Sequence, residues 1–183
     1  MVYNPRVHHR RSIRLQGYDY SSSGAYFVTL CTQNRECVFG EIVEGEMRLS
    51  PIGRIALQCW QGIPDHFKNV QLDAYVIMPD HVHGIVIIQN EAEVGVRHVE
   101  LRQNTFQHIV PNSLSSIVLQ YKASVTRICR RENFTRFRWQ RNYYEHIIRR
   151  EKDYHAIQRY IIDNPFKWHF DAENLGKRQS WKG

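Results

Sequence analysis

The sequence predicts a mixed α+β fold in which helices cover an antiparallel β-sheet. Segments rich in β-branched and aromatic residues alternate with segments whose apolar residues recur at helical spacing. No internal repeat, low-complexity segment or interdomain linker interrupts the 183 residues, of which 42% are hydrophobic, so one core can form. We therefore expect a single domain at residues 25–183, preceded by a basic N-terminal arm at residues 1–24.

The predicted elements follow one another in a simple order. They are a strand at 25–33, a hairpin at 38–50, a helix that starts at Pro51, strands at 70–78 and 81–89, a helix capped by Ser113, a strand at 136–148 and a helix at 150–165. Apart from the hairpin, this order is strand, helix, two strands, helix, strand and a final helix. Such an order favours a ferredoxin-like sandwich with an extra C-terminal helix.

In the first half of the chain, turn and cap residues separate these elements. The hairpin is expected to turn near Glu44 and Gly45, and Pro51 suits the first position of a helix. The two strands that follow this helix are joined tightly through Pro79 and Asp80. The apolar face of the helix comprises Ile52, Ile55, Ala56 and Cys59.

In the second half, a polar stretch without periodicity predicts a loop at residues 91–112. Ser113 offers an N-cap to the helix that follows. The last helix is expected to end at Asn164, because the residue before Pro165 is biased away from the helical conformation. The apolar stripe of the helix after Ser113 comprises Leu114, Ile117, Val118, Tyr121, Val125 and Ile128.

Two histidines, His81 and His83, stand one residue apart at the start of a predicted strand. Since alternate side chains of a strand point to the same face, both imidazoles should lie side by side, with Val82 turned the other way. This geometry suits two ligands of one metal ion. The same spacing also occurs in hairpins whose histidine rings are merely half buried.

The last predicted helix carries Tyr160 and Asn164, which are four residues apart and so lie near one another on one face. If this helix docks over the histidine strand, Asn164 can offer an amide oxygen as a third metal ligand, and Tyr160 comes close to the open positions of the ion. The alternative is that Tyr160 only packs, and that Asn164 is simply a helix residue beside a proline.

The chain is basic, and its excess of positive charge is concentrated in one stretch. Lysine and arginine number 25 against 18 aspartate and glutamate residues, a net charge of +7, which favours a polyanionic partner. Between Lys122 and Arg150, basic residues are interleaved with aromatic ones, a combination typical of a groove for single-stranded nucleic acid. A solvated basic face beside ordinary strand aromatics would give the same composition. The candidate nucleic-acid contacts are Lys122, Arg127, Arg138 and Arg141.

The cysteines and the N-terminus bear on the cellular compartment. Four scattered cysteines fit neither a zinc site nor a disulfide framework, so they are interpreted as reduced core thiols of a cytosolic protein. The N-terminus is charged where a signal peptide would need an apolar segment, and no window approaches the roughly 20 apolar residues of a membrane span. We expect a cytoplasmic protein without a membrane partner. The cysteines are Cys31, Cys37, Cys59 and Cys129.

Four segments, in this order, resemble one known family. They are GAYFVTLCTQNRECVFGEI at 24–42, YVIMPDHVHGIVI at 75–87, WQRNYYEHIIRREKDY at 139–154 and YIIDNP at 160–165. This combination is specific, whereas a single His-x-His is not. The chain resembles the REP-associated tyrosine transposases, which lie within the IS200-like superfamily of single-tyrosine transposases. Their HUH motif consists of a hydrophobic residue with one histidine on each side.

The resemblance implies a role for each matching residue. His81 and His83 match the HUH motif, which binds a divalent metal, either Mg²⁺ or Mn²⁺. Tyr160 matches the nucleophile on the C-terminal helix, and Asn164, four positions later, completes the metal site. The implied enzyme cuts and joins single-stranded DNA with imperfect hairpins through a covalent 5′-phosphotyrosine. Related enzymes include monomers and dimers, so a homodimer is a further expectation.

Other tyrosines and other functions remain as alternatives. Tyr121 is the rival nucleophile because it lies on a helix with basic neighbours, although its place in the apolar stripe favours core packing. No asparagine stands four residues after Tyr143, Tyr144 or Tyr154. The chain could instead be a nucleic-acid-binding module without catalysis. A third class is a histidine-metal hydrolase in which water replaces tyrosine, and such an enzyme forms no covalent protein adduct.

Overall fold

The computed structural model describes residues 18–89 and 110–168. Most of the predicted arm at 1–24 and most of the predicted loop at 91–112 therefore lie outside the described residues. Within the described residues, no helix is long and apolar enough to cross a membrane. None of the four cysteines, all of which lie in the described part, forms a disulfide, and Cys129 is the fully buried one among them.

The described residues form six strands and four α-helices, together with one short 3₁₀ turn at Gln33–Arg35. In chain order, the elements are β1 (Gly24–Cys31), β2 (Gly40–Val43), β3 (Glu46–Leu49), α1 (Pro51–Gln61), α2 (Ile63–His66), β4 (Val70–Ile77), β5 (His81–Ile88), α3 (Leu114–Arg131), β6 (Tyr144–Ile148) and α4 (Glu151–Lys167). The single turn of α2 is absent from the sequence-based prediction, which ends the preceding helix in this region.

The main sheet has the strand order β4-β5-β1-β6, and every neighbouring pair is antiparallel. With the β2–β3 hairpin set aside, this is the order of a ferredoxin-like βαββαβ unit, so the predicted fold is confirmed. The hairpin forms a separate two-stranded sheet. It turns at Glu44 and Gly45, both of which have positive φ, as the glycine and turn signals predict.

The sheet is covered by different helices on its two faces. Tyr26, Val28 and Leu30 of β1 point into the larger core, which contains residues of α1 and α3. The intervening Phe27 belongs to a smaller core with Ile161 of α4, so α4 covers the opposite face. Because side chains alternate along a strand, the odd-numbered residues of β1 and β5 lie on the α4 face.

The start of α1 at Pro51 and the Ser113 cap of α3 are as predicted, whereas the Ser50 cap of α1 and the burial of Trp60 are absent from the sequence-based prediction. The hydroxyls of Ser50 and Ser113 each accept a hydrogen bond from the first turn of the helix that follows. Gly84 of β5 lies directly beneath Trp60 of α1. A Cβ added to this glycine would be only 2.2 Å from the indole ring. A glycine is therefore required for the close approach of α1 to the sheet.

The prediction that the last helix ends at Asn164 is wrong, because α4 continues through Pro165. Proline costs one backbone hydrogen bond, but its φ is compatible with a helix. Tertiary contacts hold the turn beyond it: the rings of Trp168 and His81 are 6.0 Å apart, and Phe166 packs on the hairpin turn at Gly45. These contacts outweigh the local preference.

The predicted strand at 136–148 is also too long, since only its last five residues form β6. Phe137 and Trp139 turn towards the larger core and pack against Phe39, at centroid distances of 5.8 and 5.4 Å. This part of the chain keeps a single bridge, between Trp139 and Thr32, beside the end of β1. Burial of the aromatic rings therefore replaces regular strand pairing here.

Candidate metal and nucleophile site

The two histidines lie side by side beneath α4, at the first and third positions of β5. Each is 5% exposed, and their Nε2 atoms are 2.9 Å apart. The predicted placement of both imidazoles on one face is confirmed. Their ring centroids are 4.3 Å apart, so the two rings form one compact pair, called the histidine pair below.

The other nitrogen of each ring is held by a neighbouring side chain. The Nδ1 atom of His81 lies 2.6 Å from the carboxylate of Asp80, which accepts its hydrogen bond. The Nδ1 atom of His83 lies 2.9 Å from the hydroxyl of Thr29, directly across the strand pair. Both rings are thereby oriented with Nε2 pointing into the same space, the orientation that metal-bound histidines require.

Asp80 is itself held in a buried position, with 0% of its surface exposed. Its second carboxylate oxygen lies 3.1 Å from Nε of Arg35. Its backbone carbonyl accepts hydrogen bonds from the amide and the hydroxyl of Thr32. A buried carboxylate needs such partners, so the loop after β1 holds the residue that orients His81. Sequence reasoning treats Asp80 only as a turn residue and misses this contact, although a carboxylate directly before a histidine was a usable signal.

Tyr160 reaches the histidine pair from α4. Its hydroxyl lies 3.3 Å from Nε2 of His83, and the two ring centroids are 5.2 Å apart. The ring also packs edge-on against Phe27, with centroids 6.1 Å apart, yet 46% of the residue stays exposed. The C-terminal helix therefore docks over the histidine strand, the condition on which the expected site depends, and the phenol hydroxyl faces the pair.

Asn164 lies on the face of α4 that meets the histidine pair. It is one turn after Tyr160, which contacts His83, and one turn before Trp168, whose ring lies near His81. Residues four apart share a helix face, so the half-buried Asn164 stands between these two contacts. Sequence reasoning overlooked Trp168, because it predicts that the helix ends before this residue.

The donor set suits a divalent ion. Two imidazole nitrogens about 2.1 Å from one ion and at right angles to each other would be about 3 Å apart, close to the observed 2.9 Å. Within residues 18–89 and 110–168, no three His, Cys, Asp or Glu side chains are grouped so as to hold a metal. If an ion binds to the histidine pair, a third protein ligand would be of another type, and Asn164 lies on the helix face from which its amide oxygen could be that ligand.

The surroundings of His83 favour its neutral form. Burial lowers the pKa of His83 well below its ordinary value of 6.5, and the positive charges of His81 and Arg35 act in the same direction. Asp80 has the opposite, weaker effect. Because only neutral imidazole can donate a lone pair to a metal, this environment keeps His83 available as a ligand at neutral pH.

Tyr121 and Tyr154, two of the other candidate nucleophiles, do not contact the histidine pair with their hydroxyls. Tyr121 is 2% exposed in the larger core, on the opposite face of the sheet, and its hydroxyl donates to the carbonyl of Ala56. Burial raises the pKa of Tyr121 well above its ordinary value. The hydroxyl of Tyr154 donates to the carboxylate of Asp73, and burial together with this contact raises the pKa of Tyr154 to about 12. The prediction that Tyr121 is a core residue is confirmed.

Two of the candidate nucleic-acid contacts have structural partners. The ammonium of Lys122 donates to the carbonyls of Gln140 and Asn142, at 2.9 and 3.2 Å, and burial lowers its pKa to about 8. The guanidinium of Arg138 donates to the carbonyls of Thr135 and Phe137. Both cations therefore stabilise the irregular segment that leads to β6.

The other two candidates, Arg127 and Arg141, are exposed on different parts of the molecule. Arg127 lies on α3 beside Cys59, on the side of the sheet away from the histidine pair. Arg141 follows Gln140, whose amide donates to the carbonyl of Cys31 at the end of β1. Cys31 is the register partner of His81 on the neighbouring strand. Arg141 is therefore closer to the histidine pair than Arg127 is.

No family model matches this chain. A Haemophilus influenzae protein described only as an uncharacterized protein is 43% identical over 175 residues, which cover 92% of this chain and 95% of that protein. This chain belongs to the same family as that protein.

The named relatives are more distant. A second Haemophilus influenzae protein, described as "Putative REP-associated tyrosine transposase", is 24% identical over 156 residues, which cover 81% of this chain and 74% of that protein. A solved structure of a REP-associated tyrosine transposase bound to a REP hairpin superposes with a TM-score of 0.58 at 19% identity. The match covers 93% of this chain and 92% of that one. The chain thus resembles the REP-associated tyrosine transposases, as its motifs predict, and shares their fold.

Proposed function

We propose that this protein is a transposase-like enzyme that cuts and rejoins single-stranded DNA carrying imperfect hairpins. The observation that carries the proposal is the position of the Tyr160 hydroxyl, 3.3 Å from Nε2 of His83, which is itself 2.9 Å from Nε2 of His81. A tyrosine beside two oriented imidazoles is the arrangement needed for nucleophilic attack on a metal-bound phosphodiester. The transposase names of the distant relatives support the same reaction class.

In this proposal, His81, His83 and Asn164 would hold the divalent ion, Mg²⁺ or Mn²⁺, and a substrate phosphate oxygen would complete the ligand set. When bound, the ion supplies positive charge that polarises the scissile phosphate. Imidazole ligands suit Mn²⁺ better than Mg²⁺, which prefers oxygen. Asp80 and Thr29 keep the two Nε2 atoms directed at the ion site through their contacts with Nδ1.

Tyr160 is the nucleophile of the proposed reaction. As its oxygen loses the phenol proton and forms a bond to phosphorus, the bond from phosphorus to the 3′-oxygen breaks and that oxygen takes up a proton, leaving a 5′-phosphotyrosine and a free 3′-hydroxyl. One phosphodiester replaces another, so the 3′-hydroxyl of a second strand can reverse the step without ATP. The histidine pair is nearly buried, and the stacked and paired bases of a duplex would hinder access, which favours a single-stranded substrate.

The test is formation of a covalent adduct between the purified protein and an end-labelled DNA hairpin with single-stranded flanks, in Mn²⁺ or Mg²⁺. We expect a labelled band on a denaturing protein gel that Tyr160→Phe abolishes, because this change removes only the attacking oxygen. Tyr121→Phe is the matched control and should keep the adduct. Mass spectrometry of the adduct should identify Tyr160 as the modified residue.

The competing functions give different results in the same experiment. DNA binding without cleavage by the wild-type protein would indicate a binding module. Cleavage without an adduct would indicate a hydrolase that uses water. An adduct that persists in Tyr160→Phe would show that another residue is the nucleophile.

A further inference from the structure

One row of residues extends from the histidine pair to the edge of the sheet. Thr29 of β1 is the register partner of His83 on β5 and of Tyr144 on β6. Register partners on neighbouring strands share a face, and adjacent strands are about 4.8 Å apart. Tyr144 therefore lies on the same face as the histidine pair, two strands and about 10 Å away from His83.

The ring of Tyr144 is held in place and is open to solvent. It packs edge-on against Phe27, with ring centroids 6.3 Å apart, and 42% of the residue is exposed. Phe27 also supports the ring of Tyr160, at 6.1 Å. The proposed nucleophile and the exposed Tyr144 thus rest on the same phenylalanine, which orders both rings before any substrate arrives.

Helix α4 leaves Tyr144 and His146 of β6 uncovered, although Ile148 at the end of this strand packs in the small core with Ile161 of α4. It is fastened at the far edge, where Tyr154 and Gln158 donate to Asp73 of β4. His146, which is next to Tyr144 on the same face of β6, is exposed as well. The open approach to the Tyr160 hydroxyl is therefore from the β6 side, across Tyr144.

A cavity of about 610 Å³ follows this edge of the sheet. Its volume is within the range of about 300–1,000 Å³ that small-ligand sites occupy. Its lining holds two arginines and two carboxylates, so the formal charges of these four residues balance. Arg150 is paired with Asp153 at 2.9 Å and Glu145 is buried, whereas Arg149 is exposed. An aromatic ring beside an exposed arginine is complementary to a base and its phosphate.

From the row of register partners, the exposed ring of Tyr144 and the nearby Arg149, we infer that Tyr144 stacks on an unpaired base of the DNA strand next to the scissile phosphate. This inference rests on the proposed function, because it takes the histidine pair and Tyr160 as the place of cleavage. Stacking uses the face of the ring and is tolerant of base identity. Tyr144 positions the strand so that its phosphate reaches the Tyr160 hydroxyl, and the Tyr144 hydroxyl has no part in the reaction.

The experiment uses the full-length protein and a DNA hairpin with six-nucleotide single-stranded flanks. A single 2-aminopurine is moved through every flank position, with EDTA present so that no cleavage occurs. We expect fluorescence quenching at one position or two adjacent positions, lost in Tyr144→Ala and kept in Tyr144→Phe. Leu119→Ala removes an apolar side chain that is 51% exposed on α3, in the opposite layer, and should behave like the wild type.

An affinity cycle gives an independent measurement. Tyr144→Ala should weaken hairpin binding about tenfold, the size expected for one stacked base. An abasic nucleotide at the quenched position should weaken wild-type binding by a similar factor. The two changes together should weaken hairpin binding no more than either change alone, because each removes one side of the same contact.

The outcomes separate this inference from the proposed function. Quenching that survives Tyr144→Ala, no quenching at any position, or additive losses in the cycle would overturn the stacking role. Loss of quenching in Tyr144→Phe would show that the hydroxyl, not the ring, makes the contact. Quenching as expected in a protein that never forms an adduct would leave the base site standing and would contradict the proposed catalysis.

Discussion

At the scale of single residues, Asp80 is the main addition that the structure makes to the site. Its side chain contacts both His81 and Arg35, so it joins the first residue of β5 to the loop after β1. A carboxylate on Nδ1 fixes the tautomer of a histidine and makes its other nitrogen a better metal ligand. These contacts of Asp80 explain why the ring of His81, directly after the turn at Pro79 and Asp80, is held in one orientation.

We expect Asp80→Asn to weaken metal binding by about 10–100-fold, because the amide keeps the shape but loses the negative charge. The measurement is the Mn²⁺ concentration that gives half-maximal adduct formation, which should rise by this factor, with the rate largely restored at high Mn²⁺. Asp65→Asn, on the exposed side of α2, is the control and should leave the midpoint unchanged. An unchanged midpoint in Asp80→Asn would contradict this positioning role.

Lys122 is the second residue whose position gives a prediction. Its ammonium lies 5.7 Å from the ring centroid of Trp139 and 5.9 Å from that of Tyr143, and burial lowers its pKa from 10.5 to about 8. Between pH 8 and pH 10.5 the unfolded chain therefore binds more protons at this residue than the folded chain does. By linkage, the contribution of Lys122 to the free energy of unfolding rises with pH in this window.

The comparison that isolates this effect is the wild type against Lys122→Met at several pH values, by urea unfolding. The difference in unfolding free energy should shift in favour of the wild type by about 1 kcal/mol between pH 8 and pH 10, after allowance for solvent screening of this partly exposed group. A difference that stays constant or moves the other way would show that the ammonium is not destabilised by burial.

At the scale of elements, α4 is the helix on which the site depends, and few side chains fasten it. Ile161 is its one fully buried residue among those described, in the small core with Phe27. A single carboxylate oxygen of Asp73 accepts from the Tyr154 hydroxyl and from Nε2 of Gln158. Asp73 lies at a register shift in the β4–β5 pairing, and such irregularities re-aim side chains.

We expect Tyr154→Phe to slow adduct formation about tenfold at saturating Mn²⁺ and DNA, because a small displacement of α4 moves the Tyr160 hydroxyl from its attack position. The loss of one hydrogen bond to a charged group should also reduce stability by about 1.5–3 kcal/mol. The measurements are the single-turnover rate and the urea midpoint, with Lys152→Gln, at an exposed position of the same helix, as control. A lower midpoint with an unchanged rate would mean that this contact stabilises the fold without positioning Tyr160.

At the scale of the whole molecule, the net charge of +7 favours a polyanionic partner, and the exposed candidate contacts Arg127 and Arg141 lie on different parts of the molecule. If the DNA crosses the β6 side to reach Tyr160, Arg141 is closer to its path than Arg127, which lies beside Cys59 on the opposite layer. We expect Arg141→Gln to weaken hairpin binding several-fold and to reduce the slope of log K against log salt by about 0.7, the value for one phosphate contact of a single strand.

Arg127→Gln is the charge-matched comparison and should change both quantities less. Fluorescence anisotropy over a range of KCl concentrations provides the measurement. A larger effect of Arg127→Gln would place the DNA on the helical layer instead. The expected homodimer also belongs to this scale and stays a prediction.

The order of strands and helices, the hairpin turn, the start of α1 at Pro51 and the Ser113 cap could all be predicted, because each depends on residues close in sequence. The two departures, at Pro165 and at 136–143, both occur where aromatic rings are drawn into tertiary contacts. Trp168 packs near His81, and Trp139 packs near Phe39. Local preferences count for little when the burial of a large ring opposes them.

The sequence by itself determined the strand that carries His81 and His83, and the helical spacing of Tyr160 and Asn164. It did so because the side-chain period of an element depends only on its own backbone. Only the tertiary structure decided that these two elements meet, that Asp80 and Thr29 hold the two imidazoles, and that Tyr144 lies in line with them. Those contacts join residues far apart in the chain, and they follow from the packing of α4 on the sheet and the register of β1 with its two neighbours.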